Sequence, residues 1–198
     1  MNHDHVEEGS YMREDGKWRF ASNNKGIVDG FNDPGIETFS ANSIASMVRE
    51  VIQNSVDQQV DDSRPVVVDF DFFQVTQDEI PGGRQLENIF DRCLKASKGD
   101  PVATGFFQQA QKLMKGKIDV LRISDHNTTG LVGAETDDTK TPWHQLVKGR
   151  GSSNKNINSG GSFGIGKAAP LACSYFHTIF YASKVDAIDS YVGVSRLL

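Results

Sequence analysis

The sequence predicts a chain of mixed helices and strands, of the α/β or α+β class. Three observations predict it. A stretch at about 42–60 carries apolar residues at helical spacing, and two further amphipathic stretches follow at about 85–97 and 102–115. Short runs of β-branched and aromatic residues at 66–73, 117–124 and 177–183 read as strands. The 198 residues are enough for one domain with a sizeable core, and no internal repeat divides them.

The elements follow in order. Residues 1–16 are acidic and polar, with no apolar run that would mark a signal peptide, and form a leader. His3-Asp4-His5 on it is a pair of histidines on a tail rather than a specific metal site. Lys17-Trp18-Arg19-Phe20-Ala21-Ser22 suits a short edge strand, which separates 1–22 from a domain at 23–198. Residues 23–35 hold Asn-Asn, Asp-Gly and Asp-Pro-Gly and read as loop. Ser40 or Asn42 stands where a helix N-cap belongs. In the helix that follows, Ile44, Val48, Val51 and Ile52 share the face expected to be buried. Arg64-Pro65 breaks the chain before the first strand, and Pro81-Gly82-Gly83 is a turn. Ile89, Phe90, Cys93 and Leu94 give the next helix its apolar side; Phe106, Phe107, Ala110 and Leu113 do so for the one after it. Residues 125–159 are long and polar, with one apolar-bearing piece at 143–147, and loops of that length often serve as lids. A glycine loop then opens a helix from about Gly166. Trp18 and Trp143 read as packing residues. The sequence stops in mid-pattern at Arg196-Leu197-Leu198, as expected of the N-terminal portion of a longer protein.

Composition narrows the function. The net charge of −5 does not suggest a general grip on nucleic acid. Cys93 and Cys173 are far apart and lack a C-x-x-C or a histidine cluster, so buried thiols in a reducing compartment are expected rather than zinc or a disulfide framework. No run approaches the length of a membrane span, and a cytoplasmic protein is expected.

Three stretches carry chemistry. Within Arg49-Glu50-Val51-Ile52-Gln53-Asn54-Ser55-Val56-Asp57, the residues Glu50, Asn54 and Asp57 are spaced i, i+4, i+7 and stack on one helical face. That stripe is either a solvated face or a site. Asp125 closes a strand, where its carboxylate can accept from an exocyclic amine. Asn127 and Gly130 tolerate unusual backbone angles and can bring the chain close to a flat base. Gly160-Gly161-Ser162-Phe163-Gly164-Ile165-Gly166-Lys167 exposes backbone N–H groups at the start of a helix, which suits phosphates. Asn54 can offer an amide oxygen to Mg²⁺, an ion that takes few protein ligands. Glu50, one turn away, can orient and deprotonate a water attacking a γ-phosphate.

In order and wording these stretches resemble the GHKL superfamily of gyrase-type topoisomerases, 90-kilodalton heat-shock chaperones, histidine kinases and mismatch-repair ATPases. Residues 49–57 resemble its N-box, E-x-x-x-N-x-x-D. Asp125-His126-Asn127-Thr128-Thr129-Gly130-Leu131 resembles its D-x-G-x-G box. Gly161-Ser162-Phe163-Gly164-Ile165-Gly166 resembles its glycine lid, in the heat-shock chaperone form. The resemblance runs from about 36 to 183. It implies a two-layer sandwich with a mixed, largely antiparallel sheet and helices on one face. It implies Mg²⁺-dependent binding and hydrolysis of ATP, with ADP as product, driving lid closure or dimerisation within a larger protein whose downstream domains are further partners. Glu50 is then the general base, Asn54 the Mg²⁺ ligand and Asp125 the adenine reader. Asp57, Asn127, Gly130, Leu131 and the lid residues Gly161 to Lys167 surround the nucleotide.

Two departures stand out. The second box lacks its first glycine and has one residue added, so Asn127 is placed to take the left-handed position. Lys167 directly follows the last lid glycine, either touching a phosphate or exposed on the first helical turn. Rival readings are weaker. Gly161-x-x-x-x-Gly166-Lys167-Ala168 nearly matches a P-loop, but Ala168 has no hydroxyl for Mg²⁺ and no strand precedes the loop. A histidine kinase would lack the glutamate and carry a two-helix segment upstream. The alternative that survives is a nucleotide-sensing or scaffolding module that binds ATP without turnover.

Overall fold

Helices form where the apolar spacing puts them, and strands where β-branched and aromatic residues run. The computed structural model describes residues 17–19, 34–147 and 166–197. Its elements are α1 (Pro34–Phe39), α2 (Ser43–Val56), β1 (Val67–Val75), α3 (Gly83–Ala96), α4 (Pro101–Met114), β2 (Ile118–His126), α5 (Pro142–Val147), α6 (Ala168–Cys173), β3 (Thr178–Val185) and β4 (Ile188–Ser195). A 3₁₀ turn, Ser40–Asn42, joins α1 to α2. α1 replaces part of the expected loop. Asp33-Pro34-Gly35 suggests a turn by composition, but Pro34 sits in the first helical turn, where its missing N–H costs nothing.

The deepest packing is between α3 and α4. Gly82 adopts φ 65°, and a Cβ on Gly83 would overlap the Gln77 carbonyl, so the glycine pair lets α3 begin close against the preceding turn. α3 turns Leu86, Ile89 and Phe90 inward; α4 turns Ala103, Phe107, Ala110 and Met114 inward, a helical stripe of alternating small and large residues. Asp100 caps α4, its Oδ1 accepting from the N–H groups of Val102 (2.9 Å) and Ala103 (3.0 Å). Phe90 and Phe107 are wholly buried with ring centroids 6.4 Å apart, and Phe176 stacks on Phe90 at 5.6 Å.

Trp18 is the packing residue it was expected to be. Its N–H donates to Gln85 Oε1 (2.8 Å), its carbonyl accepts from Gln85 Nε2 (2.9 Å), and its indole N–H reaches the Gly82 carbonyl (3.2 Å). The Gln85 amide thus supplies residue 18 with the two bonds a neighbouring strand would give. Gly193 of β4 lacks the Cβ that would crowd the indole, which meets Phe180 edge-on at 5.9 Å.

The α+β class holds. β1 and β2 pair antiparallel from Val67↔His126 to Val75↔Ile118, and β3 and β4 form a hairpin closed between Val185 and Ile188, where Asp186 takes φ 53°. Among the described residues these are two separate two-stranded sheets, and no larger mixed sheet forms. Each strand pairs with the one that returns antiparallel to it, which needs no crossover connection. Cross-strand partners put Val68, Phe70, Phe72, Leu121, Ile123 and Asp125 on one face of the first sheet. Phe72 is 73% exposed there.

α2 departs from expectation in which face it buries. Ile44 and Ile52 are exposed, Met47 and Ser55 are buried, and Glu50, Val51 and Asn54 are half-buried on the same side as Met47. The reason lies in the partner. α2 packs on α6, which offers the buried Ala168, Ala169 and Leu171. Small alanines let the helix approach closely, so Glu50 and Asn54 lie at the contact beside Met47 and Val51, while Ile44, Ile52 and Asp57 stay exposed. Among the described residues no helix is long and apolar enough to cross a membrane. Both cysteines are free and half-buried, and burial raises the Cys93 thiol above its usual range.

Candidate functional site

The middle of α2 holds Glu50 and Asn54 one turn apart. Asn54 Nδ2 donates to Glu50 Oε1 at 3.2 Å, which fixes the carboxylate on one side. On the other side lies Gly166, the last lid glycine, just before α6. A Cβ placed there would overlap Glu50 Cδ and both carboxylate oxygens. The first and third sequence boxes therefore touch. Asp57 closes the stripe at the C-terminal end of α2, exposed, with its N–H donating to the Gln53 carbonyl at 2.9 Å.

Lys167 follows the helical turn away from this contact. Its ammonium donates to the Gln145 carbonyl on α5. Burial, and then the nearby Arg196 guanidinium, lower its pKa from the ordinary lysine value. It is half-buried and bonded to α5, rather than exposed on the first helical turn.

The second box is tied to the end of α2. Asn127 takes the left-handed conformation, φ 62°, as its position in the altered box predicts. Its side chain organises the chain after α2. Nδ2 donates to the carbonyls of Asp61 (2.9 Å) and Arg64 (2.8 Å), and Oδ1 accepts from the Asp61 N–H (3.1 Å). The backbone agrees: Val60 N–H donates to the Asn127 carbonyl (3.1 Å), and Thr129 N–H donates to the Gln58 carbonyl (2.9 Å). Asp125, two residues earlier, stands exposed on β2 opposite Val68, on the apolar face with Ile123 and Phe70.

Gly130 and Leu131 connect this turn to β3. Gly130 has φ 67°, and a side chain there would crowd Val185 and Ser183; Leu131 N–H donates to Ser183 Oγ at 2.8 Å. Leu131, Val132, Gly133, Val185 and Asp186 line an open cleft of about 190 Å³. That is smaller than the roughly 300–1,000 Å³ of typical ligand pockets, and neither Glu50 nor Asn54 lines it. The chemistry of Glu50 and Asn54 is the better guide to a site than this cleft.

Gly161, Ser162, Phe163, Gly164 and Ile165 lie outside the described residues. Gln58 and Thr129 join the end of α2 to the second box, Ser183 ties that box to β3 and Gln145 ties Lys167 to α5; none has a local sequence signal, because each bonds to a residue far along the chain. The chain matches no family model, no curated protein and no solved structure.

Proposed function

We propose that the chain is a GHKL-type domain that binds ATP with Mg²⁺ and hydrolyses it. The observation that carries this reading is the seat of Glu50: a carboxylate held by the amide of Asn54 and backed by the glycine that ends the glycine loop. A general base and a phosphate-binding loop need to be neighbours, and the contact of Glu50 with the last glycine of the loop supports that reading.

The residues suit the groups they would meet. With its nitrogen turned to Glu50, Asn54 has Oδ1 as the atom to ligate Mg²⁺, a hard oxygen donor of the kind this ion takes singly among waters and phosphates. The ion would neutralise phosphate charge. Glu50 would orient a water and take its proton as the water attacks the γ-phosphorus and the bond to the β-phosphate oxygen breaks. Asp125 would accept from the adenine amine, with Ile123 and Phe70 on the same sheet face as an apolar surface for the ring. Asn127 and Thr129 would act indirectly, by fixing the turn that follows Asp125 to α2. The setting proposed is cytoplasmic, in keeping with two free thiols.

Glu50→Ala tests the reading. It should leave ATP affinity roughly intact, or raise it slightly because a negative charge near the triphosphate is gone. Phosphate release should fall by about 10²–10⁴-fold, the scale of a lost general base. Equal release by parent and variant would remove Glu50 as the base. ATP binding without turnover by either would leave a nucleotide sensor.

A further inference from the structure

We propose that Gly166 is a positioning residue for Glu50: the absence of a side chain at 166 creates the space in which the carboxylate sits. This rests on the reading of Glu50 as general base. The geometry makes the role specific to a missing Cβ. Gly166 is buried and its φ is outside the left-handed region, so the backbone would accept an alanine. What fills the vacant volume is the Glu50 carboxylate itself, through Cδ and both oxygens.

Both backbones are anchored beside the contact. The Gly166 carbonyl accepts the N–H of Ala169 at 3.0 Å, the bond that starts α6, and Ala168 and Ala169 are buried behind it. Glu50 stands mid-helix in α2, where Met47 and Ser55 are buried on either side of it along the helix. The flexible end of the Glu50 side chain is what yields. A methyl group at 166 therefore leaves the fold in place, pushes the carboxylate out of its seat and breaks its bond to Asn54.

The experiment is Gly166→Ala in the full chain, alone and combined with Glu50→Asp, whose carboxylate is one methylene shorter. Gly166→Ala should keep the parent's melting temperature, since glycine-to-alanine changes at compatible angles are neutral to stabilising. Its KM for ATP should stay within about threefold while kcat falls about 100-fold, the scale of an ångström-sized misplacement of a reacting group. In the Glu50→Asp background the same change should cost less than about threefold, because the retracted carboxylate no longer meets the methyl. A carbon-13 signal of the Glu50 carboxyl should move in Gly166→Ala with or without nucleotide. An unchanged kcat, an equal loss in both backgrounds, or an unmoved Glu50 signal would overturn the proposal. If Gly166→Ala does not fold, recovery of folding by Glu50→Asp supports the overlap and failure to recover overturns it. Absence of ATP binding by the parent would sink the ATPase reading instead, and the carboxyl signal would still decide the contact.

Discussion

Replacing Asn127 should destabilise the protein in a graded order that separates two physical causes. Asn127→Ala removes three well-formed bonds, at 2.8, 2.9 and 3.1 Å, to the backbone of residues 61 and 64. Net contributions of such bonds are about 0.5–1.5 kcal/mol each, and the lower end applies here because water can reach part of this loop. Alanine also inherits φ 62°, a conformation that costs a residue with a Cβ about 1 kcal/mol or slightly more. The sum is about 2–3 kcal/mol. For a chain of this size that is a fall in melting temperature of roughly 4–12 °C. Asn127→Gly loses the same bonds but not the backbone tolerance, so it should be about 1 kcal/mol milder than Asn127→Ala. Asn127→Asp keeps the shape and the acceptor from Asp61 N–H, yet turns an oxygen toward carbonyls that need a donor. It should be no better than Asn127→Ala despite its near-identical size. Urea unfolding followed by circular dichroism reads all three, through midpoints at constant slope. If glycine were worse than alanine, or aspartate matched the parent, the account of Asn127 as a donor held in the left-handed region would be wrong.

Two further outcomes are expected at the site. Asp125→Asn should weaken ADP binding by about 1–3 kcal/mol, roughly 5–150-fold, by replacing the acceptor for the adenine amine; calorimetry giving parental affinity would dismiss Asp125 as the base reader. Asn54→Ala should lose the Mg²⁺-dependent part of nucleotide binding and keep a weak metal-independent part, so an undiminished Mg²⁺ enhancement in a titration would contradict its role as ligand.

The sequence made some of this legible for identifiable reasons. α3 and α4 are strongly periodic and begin at clear signals, Gly82-Gly83 and Asp100-Pro101, so their positions and several of their inward residues follow from the sequence alone. The strand at 66–73 was foreseeable from its β-branched and aromatic run, with its end two residues further on. The buried face of α2 was not. Periodicity points to Ile44, Val48, Val51 and Ile52; Val48 and Val51 are half-buried, Ile44 and Ile52 are exposed, and the presence of α6 opposite decides for Met47, Glu50 and Ser55. Asn127 shows the same limit at a single residue. Its backbone angle was foreseeable from the missing glycine, while the carbonyls its amide bonds lie more than sixty residues away. Glu50, Asn54 and Gly166 could each be chosen from sequence, but the exclusion of a Cβ by the Glu50 carboxylate is a property of two elements meeting.

The insertion of α3 and α4 between β1 and β2 has a consequence for how the chain reaches its fold. β1 and β2 pair residue by residue, yet a whole helical pair separates Val75 from Ile118. Closing that span as loose chain would precede any reward from strand pairing, and such non-local contacts slow folding. The two helices remove most of the difficulty. They are adjacent in sequence, capped at Asp100, and bury Phe90 against Phe107 through contacts that need little chain to close. Their core cluster includes Ile118, the first residue of β2, with Val75, the last of β1, packed against it. Once the helical pair has formed, the two strand ends are already side by side, and the sheet can zip from Val75↔Ile118 toward Val67↔His126. Asn127 and the end of α2 would then be joined last. Core substitutions such as Phe107→Ala should therefore slow folding, whereas substitutions at Asn127 should mainly speed unfolding.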